Sequence, residues 1–158
     1  MRKSRKKQVF YLLFLLDKLI KLCYNRFGDV MNNISDIILE HIKTEYEVEP
    51  EYLWQTDDTA AIRHNDTKKW FGAYMKGVSK RKLGCDSEEK VDILNLKCDP
   101  MLNFSVVDYN GIFPGWHMNK EHWISVLLDG TVAAEDIYPL IRMSFALTDK
   151  KTKKKKSC

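Results

Sequence analysis

Short strand-like runs between two amphipathic helical segments constrain the fold of this chain more than any other feature. Apolar residues recur at helical spacing from about Ser35 to Tyr46 and again from about Ala133 to Leu147. Between them lie four runs with strand character, at residues 60–64, 69–74, 91–98 and 122–128. Asn65 and Asp66 indicate a hairpin turn between the first two runs. This order of elements predicts an α+β domain.

Asp99 and Pro100 together predict a further, short helix from Met101 to about Val107. The aspartate suits the N-cap position, and proline is favoured in the first turn because its missing N–H has no helical partner there.

The charged residues are distributed unevenly along the chain, whose net charge is +4. Residues 1–30 contain eight basic and two acidic residues, and residues 149–158 contain six lysines and one aspartate. Residues 31–148 therefore contain 12 basic and 19 acidic residues and have a net charge of −7. The charge of the whole chain gives no support by itself for nucleic-acid binding.

The two basic ends are predicted to lie outside the folded domain. We expect residues 1–30 to form an extension, residues 31–148 the domain, and residues 149–158 a disordered lysine-rich tail. The apolar run from Val9 to Leu16 is too short to span a membrane, and no cleavage site follows it. A helix that continues this run would lie on a membrane surface or dock on the domain, and membrane contact is the weaker alternative.

A second hypothesis concerns the start of the chain. Met31 is followed at once by a good helix start, in which Asn33 is placed to cap the helix and Asp36 lies in its first turn. Gly28 and Asp29 could be encoded as GGA-GA, which would be a purine-rich ribosome-binding sequence a few nucleotides before the Met31 codon. This hypothesis places residues 1–30 upstream of the true start at Met31.

The four cysteines show no paired CxxC spacing. We therefore predict neither a disulfide framework nor a zinc site, and we expect a cytoplasmic protein. Cys98 lies in an apolar strand and is predicted to be a small core residue. Cys85 is expected to be exposed in an acidic loop, where neighbouring carboxylates disfavour the reactive thiolate.

A basic stretch from Lys68 to Lys82 contains no acidic residue. Its cations are Lys68, Lys69, Lys76, Lys80, Arg81 and Lys82. Together with Arg63, Lys97 and Lys120 they would form a stripe that contacts phosphates, with Trp70 and Phe71 available for stacking. The alternative interpretation is a solvated hairpin edge, since lysines commonly protect edge strands from aggregation.

The stretch from Trp116 to Trp123 is dense in residue types that carry chemistry. His117 and His122 are the credible general bases of the domain, but their spacing does not place both on one metal and implies no third ligand. We expect Asn119 and Lys120 to close a turn and to contact a phosphate or a backbone carbonyl. A small-molecule or hydrolytic activity at the two histidines is a minor alternative, since one of them would simply pack against the sheet.

Five segments of the chain carry a family resemblance. In order they are YEVEPEYLW, KKWFGAYMKG, KRKLGCD, KVDILNLKCDP and PGWHMNKEHWISVLLDG. They resemble the MmcQ/YjbR family of small bacterial proteins, over Ile34 to about Leu147. The resemblance implies a two-layer α+β fold in the order α-β3-α-β2-α, with an antiparallel sheet of about five strands and helices on one face. Pro139 departs from the family pattern and predicts a kinked or delayed final helix.

The resemblance also implies a function, because members of the family are commonly described as DNA-binding through a double-wing arrangement of hairpins. We therefore expect a monomeric, non-enzymatic protein that contacts double-stranded DNA and has no cofactor or metal. The predicted nucleic-acid-binding residues are Lys68, Lys69, Trp70, Lys80, Arg81, Lys82, Lys97, Trp116, His117, Asn119 and Lys120. The alternative is a protein-binding or chaperone-like module, suggested by the acidic body and by kinship of the fold with secretion chaperones.

Overall fold

The structure, a computed structural model, describes residues 33–53, 58–107 and 110–149. The predicted extension, the start hypothesis at Met31 and the lysines of the tail lie outside the described residues. The elements are α1 (Ile34–Tyr46), β1 (Glu51–Tyr52), β2 (Thr59–Arg63), β3 (Trp70–Ser79), a 3₁₀ turn (Lys80–Leu83), β4 (Lys90–Lys97), α2 (Pro100–Val106), β5 (Ile112–Pro114), β6 (Trp123–Leu127) and α3 (Ala134–Thr148). Within the described residues, no helix combines the length and the apolarity needed to cross a bilayer.

The six strands form one antiparallel sheet in the order β1-β2-β3-β4-β6-β5. The predicted α+β class with an antiparallel sheet is confirmed. The strand beyond the expected five is β1, in which Tyr52 pairs with Ala60. Because β3 lies between β2 and β4, the alternative interpretation of residues 68–82 as a sheet edge is wrong.

The main core lies between the helices and one face of the sheet. In α1, Ile38 and Ile42 are one turn apart and fully buried, so the helix packs along one stripe. Successive strand residues point to opposite faces, and β4 sends Leu94 and Leu96 toward this core. Each such side chain contributes roughly 1.5–3 kcal/mol when it is removed from water. Cys98 is also buried in this core, and burial raises the pKa of its thiol.

Ser144 of α3 joins the helix to the sheet at an irregularity in β3. The register between β2 and β3 shifts so that Ile62 pairs with Gly72 while Arg63 pairs with Trp70. Phe71 therefore has no opposite residue, and its ring enters the main core. The Ser144 hydroxyl donates to the carbonyl of Phe71 and accepts a 2.8 Å hydrogen bond from the N–H of Lys97. One buried serine thus satisfies two backbone groups of the sheet.

The helix α3 begins at Ala134 and continues through Pro139 to Thr148. The predicted delay of its start by the proline is wrong, and the predicted kink stays a prediction. Glu135 and Asp136 lie in the first turn, where negative charge is favourable to the helix dipole.

Candidate tryptophan cleft

The face of the sheet that turns away from the main core is called here the open face. Strand alternation places Ile93, Asn95 and Lys97 of β4 on it, next to Ser125 and Leu127 of β6. A second, smaller apolar cluster of Val91, Ile93 and Leu127 lies on this face, with Met75, Val78, Leu83, Phe113 and Trp116 packed against it.

A cleft of about 600 Å³ lies on the open face along β3, and we call it the tryptophan cleft. Its volume is within the range of roughly 300–1,000 Å³ that is typical of small-molecule pockets. Its lining residues are Thr59, Trp70, Met75, Lys76, Gly77, Val78, Lys82, Trp116, His117 and Met118. The structure therefore brings four residues of the predicted site together, namely Trp70, Lys82, Trp116 and His117.

The backbone of Trp116 is held by two buried polar side chains of the open face. Its N–H donates a 2.7 Å hydrogen bond to the hydroxyl of Ser125. That hydroxyl donates to the Asn95 side-chain oxygen at 2.5 Å, and the Asn95 amide donates to the Trp116 carbonyl at 2.9 Å. Asn95 and Ser125 are both 0% exposed. The three hydrogen bonds form a closed ring, which we call the Trp116 clamp.

His117 follows the clamp with a φ of 56°, in the left-handed region that non-glycine residues rarely adopt. Its ring centroid lies 4.6 Å from that of Trp116, at an interplanar angle of 64°. The two rings therefore meet edge to face at the rim of the cleft. Backbone strain of this kind is common at functional sites.

The predicted basic residues lie at two ends of the sheet. The topology places the turn that contains Lys68 and Lys69 at the same end of the sheet as Lys97 and Lys120, because β2 and β4 end there and β3 and β6 begin there. The 3₁₀ turn with Lys80, Arg81 and Lys82 lies at the other end of β3. A ten-residue strand spans about 33 Å, so the two groups are far apart.

Lys80 and Arg81 of the 3₁₀ turn are already paired with carboxylates. The Lys80 ammonium lies 2.7 Å from Glu89 and 2.9 Å from Asp129. These hydrogen bonds, first that with Glu89, raise the pKa of Lys80. The Arg81 guanidinium lies 2.9 Å from Glu88. These pairs leave Lys80 and Arg81 less suited than Lys82 to contact a phosphate.

Two other cations of the open face lie over tryptophan rings. The Arg63 guanidinium is 5.4 Å from the ring centroid of Trp70, and the Lys97 ammonium is 5.9 Å from that of Trp123. The sequence did not single out the first of these pairs as a unit. Such cation–π contacts keep positive charge next to the aromatic surfaces of this face.

The histidine pair of the sequence analysis is not brought together in the cleft. His122 is half-buried and is not among the lining residues, and its carbonyl accepts a 2.8 Å hydrogen bond from the N–H of Cys98. Residues 33–53, 58–107 and 110–149 contain no group of three or more histidine, cysteine or carboxylate side chains that could hold a metal.

The turn before β6 is built as the sequence indicated. The Asn119 side-chain oxygen accepts a 2.9 Å hydrogen bond from the N–H of Glu121 and so closes the turn. The carbonyl of Lys120 accepts a 2.8 Å hydrogen bond from the buried amide of Asn103, while Lys120 itself is exposed.

Sequence reasoning missed the residues that build the cleft from beneath, Asn95 and Ser125, and two of its walls, Met75 and Met118. A signal was present for the first pair, since each is a polar residue between two apolar neighbours of a strand. Buried polar side chains have partners. No comparable signal marks the methionines, whose placement depends on the fold.

Comparison with known proteins places this geometry in a family. The model of the YjbR family matches residues 44–147. The chain is 44% identical over 112 residues to YyaQ of Bacillus subtilis strain 168, which covers 70% of this chain and 94% of YyaQ. It is 42% identical over 60 residues to YbdF of Escherichia coli O157:H7, which covers 36% of this chain and 48% of YbdF.

Solved structures agree with this assignment. A crystal structure of a Pseudomonas syringae protein superposes with a TM-score of 0.70 at 38% identity, over 75% of this chain and all of that one. A crystal structure of a Deinococcus radiodurans protein superposes with a TM-score of 0.56 at 26% identity, over 77% of this chain and 82% of that one. Together with the segments that resemble MmcQ/YjbR proteins, these matches show that the chain belongs to the YjbR family.

Proposed function

We propose that this protein is a cytoplasmic, monomeric, non-enzymatic DNA-binding protein that contacts the phosphate backbone of duplex DNA around the open face. One observation carries the proposal, namely that three cations and three tryptophans share this face. They are Arg63, Lys82, Lys97, Trp70, Trp116 and Trp123. Basic side chains interleaved with aromatic rings are typical of surfaces that bind nucleic acids.

The free cations favour an extended contact. Lys69 and Lys120 are exposed at one end of the sheet and Lys82 at the other, and none of the three has a carboxylate partner among the residues that the structure describes. Phosphates of a DNA backbone would meet positive charge at both ends. The net charge of −7 between residues 31 and 148 repels DNA at long range, whereas the cleft itself has no carboxylate among its described lining residues.

Fluorescence anisotropy of labelled duplex DNA, titrated with the full chain over a range of salt concentrations, tests the proposal. The variant Lys69→Ala/Lys82→Ala should bind every sequence more weakly and reduce the slope of log K against log salt by about 2, roughly one per lost phosphate contact. The control is Lys43→Ala/Arg142→Ala, which loses the same charge from α1 and α3. An equal change in both variants would contradict the proposal, because the basic ends would then account for the binding.

A protein-binding function is the second candidate, and α2 favours it. Met101 and Phe104 are 83% and 82% exposed, and Leu102 beside them is 51% exposed. Exposed apolar patches mark interaction surfaces. Light scattering of the full chain and of Met101→Ser/Phe104→Ser tests this candidate. A dimer that the substitutions dissociate would support it, and a monomer in both cases would count against self-association.

A further inference from the structure

We propose that the tryptophan cleft binds an unpaired nucleobase together with its phosphate. This inference rests on the proposed function and specifies which part of a nucleic acid the cleft takes. The base would come from a single strand, from a position turned out of a duplex, or from a free nucleotide, and all three present the same chemistry to the cleft.

The lining of the cleft suits a flat, apolar ring. Two indoles, Trp70 and Trp116, share it with the thioethers of Met75 and Met118. Indole rings supply large rigid surfaces that stack on a planar partner, and methionine adapts its shape to the edge of such a ring. Every base has such a planar face, so this lining implies no sequence preference.

The charges of the cleft suit the phosphate that accompanies a base. Its charged lining residues are Lys76 and Lys82, and the lining contains no carboxylate among the residues that the structure describes. The Lys76 ammonium lies over the Tyr52 ring, at 5.8 Å from its centroid, so Lys82 is the cation that faces a ligand in the cleft. The Arg63 guanidinium lies over Trp70 beside the aromatic wall and is 3.6 Å from the Glu51 carboxylate. A neutral aromatic ligand would contact only the aromatic rings, whereas a nucleotide would stack on the rings with its base and contact positive charge with its phosphate.

The Trp116 clamp makes the cleft preorganised. The Trp116 side chain packs against the apolar cluster of Val91, Ile93 and Leu127, and Asn95 and Ser125 in addition hold the backbone of residue 116. Fixing this backbone before binding lowers the entropy that the complex has to lose. The clamp uses backbone atoms of residue 116, so Trp116→Ala should remove the indole and leave the clamp intact.

The test compares two labelled single strands of equal length, an oligothymidylate and its abasic counterpart, by anisotropy with the full chain. Both strands have the same phosphates, so the basic ends of the chain contribute equally to both dissociation constants. We expect the base-containing strand to bind roughly five- to 100-fold more tightly, as one to a few stacked bases imply. Trp116→Ala should bring this ratio close to one, and Phe104→Ala, which removes an exposed aromatic ring outside the cleft, should preserve it.

Circular dichroism verifies that the variants fold. If Trp116→Ala does not fold, tryptophan fluorescence of the wild type tests the inference instead. Quenching by the thymidylate but not by the abasic strand supports the inference. Competition by thymidine 5′-monophosphate, with deoxyribose 5-phosphate as its base-free control, distinguishes a free nucleotide from a base within a strand.

The outcomes separate this inference from the proposed function. Equal affinity of the wild type for the two strands, with lysine-dependent duplex binding retained, would overturn the base-binding inference and leave the proposed function standing. The base-binding inference and the proposed function would both be overturned if substitutions of Lys69, Lys82 and Trp116 left the binding of the full chain to duplex and to single strands unchanged.

Discussion

The side chain of Asn95, in the middle of the sheet, donates a 2.9 Å hydrogen bond to the backbone carbonyl of Trp116. A residue of a central strand therefore fixes a residue of a surface loop that lies 21 positions further along the chain. The position of the cleft wall thus depends on the register of β4 with β6, which pairs Asn95 with Ser125.

Asn95→Ala should destabilise the fold, because it leaves the Ser125 hydroxyl and the Trp116 carbonyl without their buried partner. We expect a loss of about 1–3 kcal/mol in the free energy of unfolding. Urea denaturation measures this change, and Asn110→Ala, at an exposed position, should remain within about 0.5 kcal/mol of the wild type. A wild-type unfolding energy in Asn95→Ala would show that the clamp contributes nothing to stability.

Ser144→Ala should remove the link between α3 and the irregularity in β3. The substitution leaves the Phe71 carbonyl and the Lys97 N–H without this hydrogen-bond partner, which should lower the free energy of unfolding by roughly 1–3 kcal/mol for each group. Ser105→Ala on the exposed side of α2 is the matched control and should be close to neutral. The midpoints of thermal unfolding of both variants measure the difference, and equal midpoints would mean that water replaces the hydroxyl in the core.

Gly111 and Gly130 both have a left-handed backbone conformation, with φ values of 87° and 89°. Alanine is strained at either position, so a comparison of the two substitutions separates backbone strain from steric overlap. A Cβ at Gly111 would lie 2.7 Å from Cγ2 of the buried Val132, whereas a Cβ at Gly130 meets no heavy atom within 4 Å. Gly130→Ala should therefore lose roughly 1–2 kcal/mol from the left-handed backbone alone. Gly111→Ala should lose a further amount of about 1–3 kcal/mol from overpacking. Equal losses in urea denaturation would contradict this account.

Asp129→Asn should give a stability loss that depends on pH. Burial alone would raise the pKa of Asp129, but hydrogen bonds from Thr131 and Lys80 outweigh it and lower that pKa. A carboxylate with a lowered pKa stabilises the fold above its unfolded pKa of about 4 and loses this contribution as the pH falls through the folded pKa. We expect a loss of about 0.2–1 kcal/mol at pH 7 that disappears in more acidic solution.

The measurement is urea denaturation of Asp129→Asn at neutral pH and at several values below pH 4. Asp86→Asn, at an exposed position, is the control and should follow the wild type throughout. A loss in Asp129→Asn of constant size across the pH range would point to lost shape rather than lost charge.

The fold was predictable from the sequence because its longer elements have clear periodicity. The apolar stripe of α1 and the largely apolar run of β4 were both recognisable in the sequence. Asp99 and Pro100 marked the start of α2, and the Asp99 side chain accepts a hydrogen bond there from the N–H of Met101. The strands β1 and β5 have two and three residues, which is too short for alternation to be visible.

The candidate site was predictable only in part, since local sequence gives residue types but not distances. Trp70 and Trp116 are 46 positions apart in sequence, and only the order of strands brings them into one cleft. Local sequence also does not show which carboxylates pair with a lysine, as the partners of Lys80 illustrate. One of them, Asp129, follows the last strand, so a basic stretch without acidic residues in sequence nevertheless has one of its lysines paired with a distant carboxylate in space.

Both margins of the sheet are short strands, β1 with two residues and β5 with three, and β5 ends in a proline that has no N–H to offer. An incoming strand from another molecule would find few free backbone groups to pair with at either margin. Short margins of this kind resist the edge-to-edge polymerisation that leads to fibrils.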